Sequence, residues 1–300
     1  MKKGKLKVWR DVIFTTFKNW FAHDSMSESA ALAYYTVFSL APVLLVVVAI
    51  AGAVFGHDAV RGRIVHQFGG LMGEEQAKMV QTILQKTEQE KSNGLAAAAG
   101  IVTLIFGATA VFAQLQASLN RIWGVTPKPG RFFKDFIRKR LLSFAIVVAI
   151  GFLLLVSLVV SAGVESLQNY VADRMAGEAL WLQWANALLS FLIFSALFAL
   201  IFQFLPDARI PWRDVWLGAV VTAALFVVGK WAIGLYLGRT AATSTFGAAA
   251  SVIVLLLWVY YASFIVLLGA EFTHAYARRH EKHVTPPEAG AERRPPPRKA

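Results

Sequence analysis

Cysteine is absent from all 300 residues. That excludes disulfides, thiolate metal sites and cysteine nucleophiles. Charge is also scarce: Asp, Glu, Lys and Arg make up 16% of the chain, against 57% hydrophobic residues. A soluble domain carries roughly 25% charged residues. This chain therefore lacks the polar surface to face water on all sides, and it reads as an integral membrane protein. The patterns GxxxxGK[ST], HExxH and GxSxG are missing, so there is no sequence sign of a phosphate-binding loop, a zinc pair or a nucleophilic serine. Acidic residues do not cluster as the metal ions of a nuclease would require. The chain is expected not to be an enzyme, and to hold no cofactor and no metal. Of its histidines, His274, His280 and His283 fall near the C-terminus, where a solvated tail without a carboxylate framework is expected.

What the sequence does have is long apolar runs. A membrane helix needs about 20 mostly apolar residues at 1.5 Å rise each. Six stretches qualify, at about 29–55, 95–119, 141–163, 180–205, 212–237 and 248–272. The runs are continuous, whereas the strands of a membrane barrel alternate with period two. The predicted fold class is all-α: a bundle of six transmembrane helices with interfacial amphipathic helices. Residues 1–28 contain no apolar core of a cleavable signal, so the first run is expected to act as an uncleaved anchor.

Basic residues set the orientation. The segment before the first span, the 2–3 and 4–5 connections and the C-terminal segment together carry 22 Lys and Arg, and the opposite side carries seven. Both termini are therefore expected in the cytoplasm. The net charge of +12 is explained by topology and implies no nucleic-acid partner.

Outside the spans, Leu6, Trp9, Ile13, Phe17 and Trp20 recur at helical spacing among lysines and arginines. Residues 1–28 thus read as a basic amphipathic helix, either lying in the cytoplasmic interface or packed on the bundle. Phe132, Phe133, Phe136 and Ile137, set among basic residues, form a second such patch, suited to anionic lipid. Residues 56–93 read as an external helical hairpin, too charged to span. The segment 273–300, basic and proline-rich, reads as a disordered cytoplasmic tail.

Lys230 is the one basic residue deep inside a span. A charge at the centre of a membrane helix costs about 2.5–3.5 kcal/mol on insertion scales. It either snorkels outward with its stem along Phe226 and Ile233 or lines a polar cavity. The residues that follow, Thr240 to Ala270, contain no charge. As one helix they would reach about 46 Å, well beyond a roughly 30 Å hydrocarbon core. The first part, with Thr243, Ser244, Thr245 and Gly247, is therefore expected to leave the helix. With Lys230 and Arg239, those hydroxyls make a candidate anion site; a plain polar turn is the alternative. Gly229, and Gly234 with Gly238 as GxxxG, mark close helix contacts in the fifth span, and Gly247 opens a small-residue run before the sixth. Pro42 removes a hydrogen bond from the first span and is expected to kink it. Glu28, Arg121 and Glu271 sit at cytoplasmic span ends and are candidates for ion pairs.

Several dispersed stretches resemble the YihY/virulence factor BrkB family of bacterial inner-membrane proteins. They are Ala30-Ala-Leu-Ala-Tyr-Tyr-Thr-Val-Phe-Ser-Leu-Ala-Pro42, Leu119-Asn-Arg-Ile-Trp123, Phe204-Leu-Pro206, Gly229-Lys230, Gly234-Leu-Tyr236, Gly247, Leu257-Trp-Val-Tyr260 and Leu268-Gly-Ala-Glu271. The resemblance covers roughly residues 10 to 275. It implies a six-span helical core, the inner membrane, and roles in envelope integrity, virulence traits and lipid export. Some members are labelled ribonuclease BN, but nothing in this chain resembles a nuclease centre, so ribonuclease activity is not expected. The functional expectation is a passive or ion-coupled transporter or flippase of an anionic, lipidic substrate. The alternative is a non-catalytic scaffold for envelope machinery. Anionic membrane lipids and envelope proteins are the expected partners. The oligomeric state is not legible in the sequence.

Overall fold

A computed structural model of the chain describes residues 2–72, 74–89, 110–127, 179–208, 210–240, 248–280 and 291–293. The described residues are almost wholly helical. α1 spans Lys2–Ala22, α2 Ser25–Phe55, α3 His57–Met72 and α4 Glu74–Gln89. Residues 110–123 form α5. α6 spans Ala179–Phe204, α7 Trp212–Thr240 and α8 Ala248–His280. The only strands among them are three-residue pieces, β1 (Val125–Pro127) and β2 (Ala291–Arg293), paired antiparallel.

Local chemistry sets the boundaries. α2 ends before Gly56 and α5 before Gly124, both at positive φ, where glycine closes a helix without a Cβ penalty. Pro206 and Pro211 bracket the turn between α6 and α7, and the Pro211 carbonyl accepts the amides of Asp214 and Val215. α1 passes into α2 through Asp24, a non-glycine residue at φ 51°. Aspartate tolerates this left-handed conformation better than most residues. α2 runs unbroken through Pro42.

Three of these helices are long and apolar enough to cross a membrane, over Ala187–Phe204, Trp212–Ile233 and Val252–Arg279. They correspond to the expected fourth, fifth and sixth spans. The expected first span lies within α2. Of the second, residues 110–119 are described; the third, and the aromatic–basic patch at 131–140, lie outside the described residues. The protein is thus a helical membrane protein with three candidate spans.

α8 is the hub. It packs on α1, α2, α7 and α4, while α6 packs on α7. The main core gathers Trp20, Leu32, Leu119, Ile122, Phe202, Val215, Phe226, Leu255, Trp258 and Leu267. Phe226 sits at its aromatic centre, with ring centroids 5.0 Å from Phe194, 5.7 Å from Phe198 and 6.2 Å from Trp258. Exposed Phe204, Trp212 and Trp216 cluster at one end of the bundle, and exposed Trp231 lies further along α7. From Trp212 to Trp231 is about 28 Å along the helix, close to the thickness of a hydrocarbon core, and aromatic residues favour the two membrane interfaces.

One placement decides between two alternatives of the sequence reading, and two others differ from it. α1 presents Val12, Thr16 and Trp20, spaced four apart, to the protein, with the Trp20 ring 4.5 Å from that of Phe264. Ile13, Phe14, Phe17 and Phe21 remain exposed. The helix therefore packs on the bundle and also keeps an unburied apolar face. The α3–α4 hairpin is more than an outer cap. It folds back on α2, where Val60, Val80 and Leu84 close over Leu44 and Val48. Finally, residues 273–280, expected in the tail, continue α8, because Thr273, His274, Ala275 and Ala277 are buried against the bundle.

Candidate functional site

Most of the polar side chains that the bundle buries gather at the end marked by Phe204 and Trp212. The sequence Leu119-Asn-Arg-Ile-Trp123 on α5 supplies much of this layer. Leu119 and Ile122 point into the core. Asn120 holds the α6–α7 turn: its Nδ2 donates to Asp207 Oδ2 at 2.9 Å, and the Asp207 amide donates to Asn120 Oδ1 at 2.8 Å. Arg121 Nη1 donates to Glu28 Oε1 in an ion pair. The other oxygen of Glu28 accepts from Ser118 Oγ at 2.7 Å and from Gln114 Nε2 at 2.9 Å. Glu28 thus accepts from three donors across both oxygens, which compensates its removal from water.

Glu271 is placed differently. The expectation grouped it with Glu28 and Arg121, but its partner is His23, from the turn after α1. His23 Nδ1 lies 2.6 Å from Glu271 Oε1. The Glu271 side chain is 0% exposed and that of His23 29%. Glu271 Oε2 has no partner among the described residues. One turn further along α8, His274 is buried with its Nδ1 likewise unpartnered among the described residues. Its ring meets the edge of Trp123 at 5.0 Å. His274 is therefore a buried residue of the polar layer and not part of a solvated tail. Its place on the Glu271 face of the helix made it fit the bundle. Among the described residues no group of three His, Asp or Glu is arranged to hold a metal ion.

Of the candidate anion residues, Lys230 and Arg239 lie towards the other end of α7. Lys230 is half-buried beside exposed Trp231, with buried Phe226 one turn before it. It makes no hydrogen bond or ion pair with a described residue. Arg239 falls in the last turn of α7; its side chain, and Thr243, Ser244, Thr245 and Gly247, lie outside the described residues. So does the side chain of Pro42. Of the glycines singled out, Gly229 makes a close contact: a Cβ there would overlap the Tyr261 hydroxyl, which donates to the Leu225 carbonyl at 3.1 Å.

Residues 16–293 match the virulence factor BrkB family. The chain belongs to that family. Among its relatives are membrane proteins that carry the family designation UPF0761. One from Vibrio parahaemolyticus is 31% identical over 84% of this chain and 78% of its own length. One from Verminephrobacter eiseniae is 30% identical over 86% of this chain and 60% of its own length. One from a Psychrobacter strain is 24% identical over 89% of this chain and 48% of its own length. The chain thus spans between about half and four fifths of these BrkB-family relatives. No solved structure matches it. The match places the LNRIW stretch, the Phe204–Pro206 turn and Glu271 inside the BrkB-family region, and these are the residues that build the polar layer.

Proposed function

We propose that this BrkB-family protein sits in the bacterial inner membrane with six spans and both termini in the cytoplasm, and that it moves an anionic, lipidic substrate across the bilayer. The observation that carries the reading is Glu271: an ionisable group, fully buried, on a helix long and apolar enough to span a membrane. Such residues are costly in lipid and mark ion and substrate paths. The polar layer of Glu28, Arg121, His23, Glu271 and His274 forms the cytoplasmic end of that path. Lys230, with Arg239 and the hydroxyls at 243–245, forms the anion-attracting outer end. Basic, apolar α1 gathers anionic headgroups on the cytoplasmic side. In this reading the protein catalyses no covalent chemistry and transport is passive or ion-coupled, since no nucleotide-binding motif is present in the chain.

The test is purified protein in lipid vesicles that carry a fluorescent anionic phospholipid. A membrane-impermeant quencher bleaches only the outer leaflet of empty vesicles. With the protein present, bleaching is expected to pass well beyond that half. Vesicles that keep their inner-leaflet signal would sink the transport reading and leave the scaffold alternative.

A further inference from the structure

Burying a carboxylate with a single partner is unfavourable, and proteins resolve this by adding donors or a proton. Glu28 has the donors; Glu271 does not. Its Oε1 meets only the His23 imidazole, at 2.6 Å, and its Oε2 meets nothing described. The partner is of a special kind. Imidazole can bind a proton at one nitrogen while releasing one from the other, and the His23 side chain is 29% exposed while Glu271 is sealed from water. One titratable ring therefore bridges solvent and a buried acid.

We infer that His23 and Glu271 form a proton-binding relay, which loads the buried carboxyl from the solvent at the α1–α2 turn. A proton that binds His23 Nε2 gives an imidazolium. The hydrogen on Nδ1 then passes to Glu271 Oε1. The carboxyl becomes neutral, and the imidazole keeps its hydrogen on Nε2 and a lone pair on Nδ1. Unloading runs the same steps backwards. No oxidant, metal or further reactant enters the balance.

The neighbours are accounted for. From α2 and α5, Glu28 and Arg121 face each other in an ion pair. On α8 itself stand His274, buried, and Arg278, whose charge acts on His274. Asp11 of α1 pairs with Arg279 at 3.1 Å. Asp214, in the first turn of α7, is buried at this end of the bundle, and Asp24, in the turn itself, is exposed. Asp24, at positive φ, follows His23 in the break between α1 and α2, and the His23 amide still bonds the Asn19 carbonyl at 2.8 Å. The packing of α1 on α8 brings His23, at the end of α1, to Glu271.

The relay names the ion of the ion-coupled reading and rests on that reading for its use, not for its existence. The full chain in lipid nanodiscs is studied by infrared difference spectroscopy while pH is stepped between about 8 and 5, the range where histidine titrates. A protonated-carboxyl band is expected to appear in wild type and to be lost in Glu271→Gln. In His23→Gln, which keeps a hydrogen-bonding side chain on a partly exposed site, the midpoint of that band is expected to move. A band that persists in Glu271→Gln, or one whose midpoint ignores His23→Gln, would overturn the relay. So would a wild type that shows no such band. If Glu271→Gln does not fold, His23→Gln alone decides. Lipid scrambling is measured on the same preparations. A band without scrambling leaves the relay and removes transport; scrambling without a band removes the relay and leaves transport.

Discussion

Gly218 and Thr273 meet across the α7–α8 interface with no room for a β-carbon between them. The contact is reciprocal. Gly269 on α8 receives Thr222 from α7 in the same way. Each threonine lies four residues after its own helix's glycine and donates its hydroxyl to that glycine's carbonyl, at 2.7 Å in both helices. The hydroxyls are thus satisfied within their own helices, so each can lie against the opposing glycine without an unpaired donor. Gly229 opposite Tyr261 extends the register, which makes the two helices antiparallel: as α7 advances, the facing residue on α8 recedes. In lipid, where apolar surface gives helices no reason to prefer each other to the bilayer, such close backbone approach is a main source of association.

Gly218→Ala and Gly269→Ala are therefore each expected to destabilise the protein by about 1–3 kcal/mol, the usual cost of overpacking. Thermal unfolding in detergent measures this. Thr273→Ala should restore part of the loss in the Gly218→Ala background and do little for Gly269→Ala. Equal rescue of both would show that the pairing is not local. At Gly229 a Cβ would overlap the Tyr261 hydroxyl and the ring carbons behind it, so Tyr261→Phe should recover only a small part of the Gly229→Ala defect and Tyr261→Ala more of it.

Glu28 and Arg121 give a second expectation. Glu28 would keep Ser118 and Gln114 if the guanidinium were removed, and Arg121 is 40% exposed, so solvent screens part of the loss. Arg121→Gln should cost about 1–1.5 kcal/mol, at or below the lower end of the range for a hydrogen bond to a charged group because solvent reaches the guanidinium. Glu28→Gln should cost a similar amount. The double substitution should cost less than the two single ones together, because neither partner is then left charged and unpaired. Strict additivity in a double-mutant cycle would show that the pair does not couple.

Some of this was legible in the sequence and some was not. The helices at 179–204, 212–240 and 248–280 follow from the apolar runs because hydrophobic length is read one residue at a time. Glu28 and Arg121 were legible as span-end charges because a charge beside an apolar run needs a partner. The partner of Glu271 was not. His23 lies 248 residues away, and only the Asp24 turn and the packing of α1 on α8 bring the two together. His274 looked like tail because charge and proline follow it, but burial of the face it shares with Glu271 keeps it inside. GxxxG at 234 and 238 marks α7 by its pattern alone, while the Gly–Thr pairs at 218/222 and 269/273 carry no such mark. A glycine four residues from a threonine is common, and only the opposing helix gives it meaning.

Topology offers a third test. With both termini cytoplasmic, the α3–α4 hairpin faces the periplasm. A reporter active only in the periplasm is expected to give signal when fused after Lys86 and none when fused after Ala300. The pattern follows from the 22-to-seven distribution of basic residues, since cytoplasmic loops retain the positive charge. Periplasmic signal at the C-terminus would invert or break the six-span assignment.

Lys230 carries the last expectation. It lies half-buried next to Trp231, at the end of α7 away from Glu271. If its ammonium only reaches outward to the interface, Lys230→Met keeps the stem, removes the insertion cost and leaves scrambling unchanged. If it draws an anionic headgroup into the path, the same substitution should preserve membrane abundance while scrambling of anionic lipid falls by an order of magnitude, about the effect of losing one charge-assisted hydrogen bond. Arg239→Gln and Thr243→Val should then weaken scrambling in the same direction. Lys230→Arg should retain part of it, because the charge persists while its geometry changes. Scrambling of a zwitterionic lipid serves as the control, since it lacks the net charge that Lys230 would attract. Undiminished anionic scrambling by Lys230→Met at normal abundance would refute the outer site. The polar layer around Glu271 would then be the remaining place for substrate to meet charge.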